Sequence, residues 1–287
     1  MGFFSRLFAG RRARPTRVDL DRRFERLRES SVGTMSTFYK VRDNVSGELR
    51  GLKLIDRLKS EPIEARYRGL GKPGEGEIGL AISGPNVVRT LEWGVSSDGA
   101  PFVLQEFIDG TLLHGLLMAR TPLSPAQRLD LVRQAATAVS TVHAAGYVHR
   151  DICPRNFILR PDGTLVLFDF GLAVPDKPVF MQPGNRIGSP NYMAPEVVRR
   201  RQADRRLDVF SFGVTAYEIC TCELPWPRGS SGRAALAHDT TPKDIRAHWQ
   251  DAPAALADAI MACLAADPGD RPSAMEDFLR RIAKVTC

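Results

Sequence analysis

Asp151 is followed five residues on by Asn156 and eighteen residues on by Asp169. A carboxylate can accept a proton from an attacking hydroxyl and orient that hydroxyl. An amide oxygen and a second carboxylate are hard donors of the kind that magnesium takes, and magnesium neutralises charge on a phosphate in transfer. Types and spacing together suit phosphoryl transfer, with Asp151 as base and with Asn156 and Asp169 as magnesium ligands. The neighbours narrow the reading: His149-Arg150 precede Asp151, Phe170-Gly171 follow Asp169, and Ala194-Pro195-Glu196 lies beyond. Asp-Phe-Gly alone is equally a turn with a core phenylalanine. Its distance from Asn156, with the Asp162-Gly163 hairpin turn between them, argues for the chemistry.

With these motifs in this order, the chain resembles a eukaryotic-type, bacterial-like serine/threonine protein kinase from about residue 25 to about residue 285. The resemblance implies an α+β, bilobal protein kinase fold. A small β-rich N-lobe with one main helix would span about 25–108, and a larger, mostly helical C-lobe about 109–287. It also implies ATP and Mg2+ as cofactors and a protein as substrate. Lys53 falls at the lysine that binds the α and β phosphates, on a strand read as Leu49 to Ile55, with Leu52 and Leu54 on the opposite face. Gly33 is the one glycine kept of the family's three in the phosphate loop; Ser31 and Ser36 replace the outer two. The backbone of Glu106 and Ile108 would pair with the adenine edge, behind which Gln105 stands guard, and Ile158 would lie on the strand beneath the base.

Lys53 needs a carboxylate partner on the next helix. Residues 61–84 suit a helix poorly, because Gly69, Gly71, Pro73, Gly74, Gly76 and Gly79 interrupt them. A start just after Pro73 is expected. The Gly84-Pro85-Asn86-Val87-Val88 stretch matches the family's His-Pro-Asn-Ile-Val, and its spacing selects Glu75, with Glu77 the open alternative. A helix so rich in glycine implies a pair formed only part of the time. Phe38 replaces the family's valine and Gly51 its alanine over the adenine, so the swap either conserves volume or crowds the nucleotide.

Downstream, Ser124-Pro125 should cap and start a helix whose apolar residues run from Leu129 to Val142 at helical spacing, with His143 structural. Cys153 occupies the place of the lysine that steadies the transferred phosphate in serine/threonine kinases, and Arg155 the place of the arginine that tyrosine kinases use instead. Gly188 to Glu196 resembles the serine/threonine pattern, with Ser189 for its threonine. Glu196 should pair with Arg271, and Asp208 should brace the catalytic loop through backbone hydrogen bonds. Residues 172–187 contain no Ser, Thr or Tyr, so activity should not depend on phosphorylation there, although Arg150 is the residue that would read a phosphate.

Composition fits a globular protein of 287 residues, long enough for two lobes. Its five cysteines have neither metal-ligand nor framework spacing, which fits free thiols in a reducing cytoplasm. The net charge of +7 is concentrated at the start, where residues 1–30 hold nine arginines against four acids. Residues 1–24 read as a basic, partly apolar leader. Phe3, Phe4, Leu7 and Phe8 on one helical face, with Arg11, Arg12 and Arg14 after them, give residues 1–14 the makings of a peripheral contact with the inner face of a membrane. A disordered basic leader, or a strand of apolar residues docked on the domain, is the plainer alternative. No aromatic-interleaved patch points to nucleic acid, and Arg6 breaks a myristoylation motif. Beside the kinase stands a second reading, a kinase-fold module that binds nucleotide or a partner with little transfer, motivated by the altered loop and Cys153. A small-molecule phosphotransferase is disfavoured by the Ser189 to Glu196 stretch and Arg271.

Overall fold

A computed structural model describes residues 16–32, 35–184, 186–229 and 234–287. Gly33 and residues 1–14 lie outside the described residues. The chain opens with β1 (Thr16–Val18), α1 (Leu20–Arg23), β2 (Phe24–Val32), β3 (Ser36–Asp43), β4 (Leu49–Ile55), α2 (Arg57–Glu64), α3 (Glu75–Ala81), β5 (Thr90–Ser96) and β6 (Pro101–Glu106). Six of these form one sheet in the order β1-β5-β6-β4-β3-β2, antiparallel except where β1 runs parallel to β5. The turn between β3 and β4 closes with a Gly47 N–H bond to the Asp43 carbonyl. Alternation along β4 sends Leu52 into a small core with Phe24, Val41, Phe102 and Leu104, and sends Lys53 to the other face. Part of the stretch read as a leader belongs to the folded domain, since β1 extends the sheet and Leu20 is buried in that same core.

Before α3 the chain makes a further helix that glycine counting did not anticipate. The Asp56 carboxylate caps α2 by accepting from the Leu58 and Lys59 N–H groups, and a 3-10 turn over Ala65–Tyr67 follows. Then α3 starts where expected. Its Gly76 and Gly79, three apart, face β5: a Cβ on Gly76 would stand 2.2 Å from the Trp93 Cβ, and one on Gly79 2.4 Å from the Thr90 hydroxyl. Both glycines therefore serve close packing of helix on sheet rather than a break in the helix.

The second lobe contains β7 (Thr111–Leu112), α4 (Leu113–Met118), α5 (Pro125–Ala144), β8 (Tyr147–Val148), β9 (Phe157–Leu159), β10 (Leu165–Leu167), β11 (Val174–Pro175), α6 (Pro195–Val198), α7 (Arg206–Thr221), α8 (Ala254–Cys263) and α9 (Met275–Arg281). The α5 N-terminus carries a reciprocal box: Ser124 Oγ accepts from the Gln127 N–H, and Gln127 Oε1 accepts from the Ser124 N–H. Helix α7 is buried from Leu207 to Cys220 and forms the centre of this lobe, packed by α5 and α8. The result is the expected α+β, two-lobed arrangement, with the functional loops between β8 and α6 laid across α7.

Candidate active site

Lys53 stands between two carboxylates. Its Nζ lies 2.5 Å from Glu75 Oε1 and 2.8 Å from Asp169 Oδ1. Glu77 points elsewhere, accepting from the Gly74 N–H at 2.8 Å and capping α3. Of the two carboxylates left open by the sequence, the structure thus pairs Glu75 with Lys53, and the glycines of α3 support that pair by letting the helix close on β5. Burial disfavours charge on Lys53, but Asp169 and Glu75 outweigh it and hold its pKa above the lysine range. One cation cannot serve two anions equally. Burial pushes Glu75 above the usual carboxylate range against the pull of Lys53, whereas for Asp169 the nearby Lys53 and the Gly171 N–H overcome burial and hold it low. Asp169 takes a left-handed backbone, φ 69°, and Phe170 is buried with its ring 5.8 Å from that of His149. That seats the motif with its carboxylate facing the cleft, lined among others by Lys53, Glu75, Asp151, Asp169, Gly188 and Ser189 and about 390 Å³ in volume.

Asp151 is fixed through both oxygens. Oδ1 accepts from the Ser189 N–H at 2.8 Å, and Oδ2 accepts from Asn156 Nδ2 at 3.0 Å. Asn156 Nδ2 also donates to the Asp151 carbonyl at 2.7 Å, so the amide nitrogen is committed and its oxygen is the atom left to face a cation. Beneath this loop the fully buried Asp208 accepts from the His149 N–H at 2.7 Å, the Arg150 N–H at 2.8 Å and His143 at 2.9 Å. Burial alone would raise Asp208, but these donors hold it below the usual range. Gly188, φ 120°, passes so near that a Cβ there would lie 2.8 Å from the Arg150 carbonyl oxygen; only glycine brings Ser189 onto Asp151.

Among the described residues no group of three or more His, Cys, Asp or Glu side chains could hold a metal. The amide oxygen of Asn156 and the carboxylate of Asp169 are hard donors of the kind magnesium takes when phosphates complete its shell, so these residue types fit the ion. Cys153 brings no charge: it is buried, its Sγ lies 3.5 Å from Ser189 Oγ, and burial with nearby Asp151 pushes its thiol up to about 12. Arg155 is exposed and is not among the residues lining the cleft. Its charge acts on His114, which burial first and Arg155 second hold below the histidine range.

Across the β3–β4 pair, Phe38 and Gly51 are complementary. The Phe38 ring fills the space of the missing methyl, so that a Cβ on Gly51 would lie 2.5 Å from the ring's Cζ. The ring thus takes space that an alanine methyl would need. Gln105 is buried and donates to the Thr90 hydroxyl at 3.3 Å. Glu106 ends β6 and Ile108 is buried just beyond it, while Ile158 on β9 pairs with Leu112. The Glu106 side chain also bridges the lobes, accepting from Arg160 at 2.9 Å and from the Arg89 N–H at 3.0 Å. Sequence reasoning missed that bridge and missed Tyr67, whose hydroxyl accepts from Arg150; neither lies in a motif, and no local pattern marks a contact between residues so far apart.

A family model described as the protein kinase domain matches residues 24–280. The chain is 30% identical over 269 residues to the serine/threonine-protein kinase pkn3 of Myxococcus xanthus, covering 88% of this chain and 48% of that protein. It is 31% identical over 251 residues to the serine/threonine-protein kinase PknD of Mycobacterium tuberculosis, covering 86% and 37%. With the serine/threonine-protein kinase PrkC of Bacillus subtilis the identity is 26%, over 89% of this chain and 39% of the relative. The chain spans less than half the length of these relatives.

Proposed function

The chain belongs to the protein kinase family, and from that premise we propose that it transfers the γ-phosphate of ATP to serine or threonine of a protein substrate. The observation that carries this is Lys53 held between Glu75 and Asp169, in one cleft with Asp151. Lys53 binds the α and β phosphates while Glu75 holds it in place. Asp151 orients the acceptor hydroxyl and takes up its proton, and its bond from the Ser189 N–H ties that step to the segment on which substrate rests. Asn156 and Asp169 would hold magnesium, which supplies positive charge to the phosphates. Gly33, Glu106, Ile108 and Ile158 are assigned to the nucleotide, the last beneath the base. Arg155 is assigned the charge that Cys153 lacks, which requires it to turn from the surface toward bound substrate. No helix among the described residues is long and apolar enough to cross a membrane. Residues 1–14 keep their basic and apolar composition as the ground for a peripheral contact with the inner face of the membrane.

Lys53, Asp151, Asn156 and Asp169 are all present, and this favours transfer over binding alone. The test is incubation of the purified chain with radiolabelled ATP, magnesium and basic protein substrates, beside Asp151→Asn and Asp169→Ala. Label that vanishes in both variants, and that acid hydrolysis returns as phosphoserine or phosphothreonine, is the expected result. Magnesium-dependent thermal stabilisation by ATP without label would instead establish the binding module.

A further inference from the structure

Tyr67 belongs to none of the motifs above, yet it sits where three segments meet. Its hydroxyl accepts from Arg150 Nη1. Its ring is only 3% exposed, lies 6.1 Å from the ring of Phe180, and carries Lys72 Nζ 5.8 Å from its centroid. Lys72 is in turn paired with Glu64 at 2.9 Å. Tyr67 comes from the connection between β4 and α3, eight residues before Glu75; Phe180 comes from the segment after Asp169; Arg150 adjoins Asp151. Protein phosphates act on such a junction by charge-assisted bonds to arginine, which order a segment. Residues 172–187 have no side chain able to carry one.

We propose that the Tyr67 hydroxyl is a built-in substitute for an activating phosphate. It is a positioning residue: through Arg150 it orients the loop that carries Asp151, and through Phe180 it holds the segment over the substrate site. Because the same connection leads directly into α3, the latch also ties the lobe that supplies Glu75 to the lobe that supplies Asp151. Competence for transfer is then a property of the unmodified chain. The proposal rests on the kinase reading above and deepens it.

Tyr67→Phe removes one oxygen and keeps the ring. Steady-state kinetics of phosphatase-treated wild type and Tyr67→Phe should show full activity in the first and a kcat lower by about tenfold in the second, the scale of a lost hydrogen bond to a charged group, with KM for ATP unchanged. Hydrogen exchange read by mass spectrometry should be faster over 178–184 in the variant, with the thermal midpoint lowered by only a few degrees and the protein fully folded at the assay temperature. Unchanged kcat in Tyr67→Phe overturns the proposal, as does loss of wild-type activity on phosphatase treatment. So does a fall in kcat that only tracks a fall in folded protein. If wild type transfers no phosphate at all, the kinase reading fails and exchange decides alone: faster exchange over 178–184 keeps the latch, and equal exchange removes it.

Discussion

Position 51 carries a hydrogen where the family pattern has a methyl, and the Phe38 ring on the neighbouring strand occupies that volume. The two departures belong together, because the ring takes its place only where position 51 has no Cβ. Gly51→Ala should force the Phe38 ring aside, weaken ATP binding, and destabilise the chain by about 1–3 kcal/mol as overpacking does. Phe38→Val should open a gap. The double variant should recover most of both losses, with a coupling on the order of 1 kcal/mol. Titration with a fluorescent nucleotide and chemical denaturation of all four proteins read this; additive losses would show that the ring and the missing methyl do not share a space. Cys153 is a departure without such compensation in contact with it, since its buried, protonated thiol lies against the Ser189 hydroxyl and the side chain of Arg155, two residues on, is exposed.

Among the elements, α3 matters most, because it carries Glu75 to Lys53. Helix propensity counts every glycine in it as a loss. The structure divides glycines by what they face. Gly76 lies against the Trp93 Cβ, an atom that cannot swing away, whereas Gly115 on α4 is exposed with nothing within 4 Å of a Cβ. The same substitution should therefore act with opposite sign. Gly115→Ala should stabilise by up to about 1 kcal/mol through helix propensity. Gly76→Ala gains that same increment but must push α3 off β5 at a cost of about 1–3 kcal/mol, so a net loss is expected. It should also lower kcat by drawing Glu75 away from Lys53. Urea midpoints of the two variants settle the sign; stabilisation by both would mean that α3 is free to shift.

For the whole molecule, the lower lobe hangs on a buried ion pair that joins α6 to the loop before α9. Arg271 donates to both Glu196 oxygens at 2.8 Å, and also to the carbonyls of Ala265, Ala266 and Arg206, with its guanidinium over the Phe210 ring. Every donor direction of the planar fork is used, which lysine could not reproduce. Arg271→Ala strands a buried carboxylate and should cost about 3–5 kcal/mol, and Arg271→Lys should recover only part of it. Equilibrium unfolding in urea measures both; a loss under about 1 kcal/mol would place the pair with the weak surface pairs instead. Because Glu196 ends the segment that begins at Asp169, the loss should also blunt activity through a loosened substrate loop.

Short-range pattern in the sequence makes much of this legible. Alternation placed Lys53 opposite Leu52, the Ser124-Pro125 pair marked the start of α5, and motif spacing brought Asp151, Asn156 and Asp169 forward together. The Glu196–Arg271 pair and the bracing by Asp208 were also readable, because their motifs fix both partners. Strand and helix periods are set by backbone geometry within a few residues, so a sequence carries them on its face. Contacts between distant segments have no such period. Glu75 rather than Glu77 beside Lys53, the ring of Phe38 over Gly51, the glycines of α3 against β5, the strand at Thr16–Val18 and the Tyr67 hydroxyl on Arg150 depend on which atoms the packed fold brings within a few ångströms. The order of the chain determined the fold and the reacting groups; three-dimensional packing alone decided which neighbours hold those groups in place.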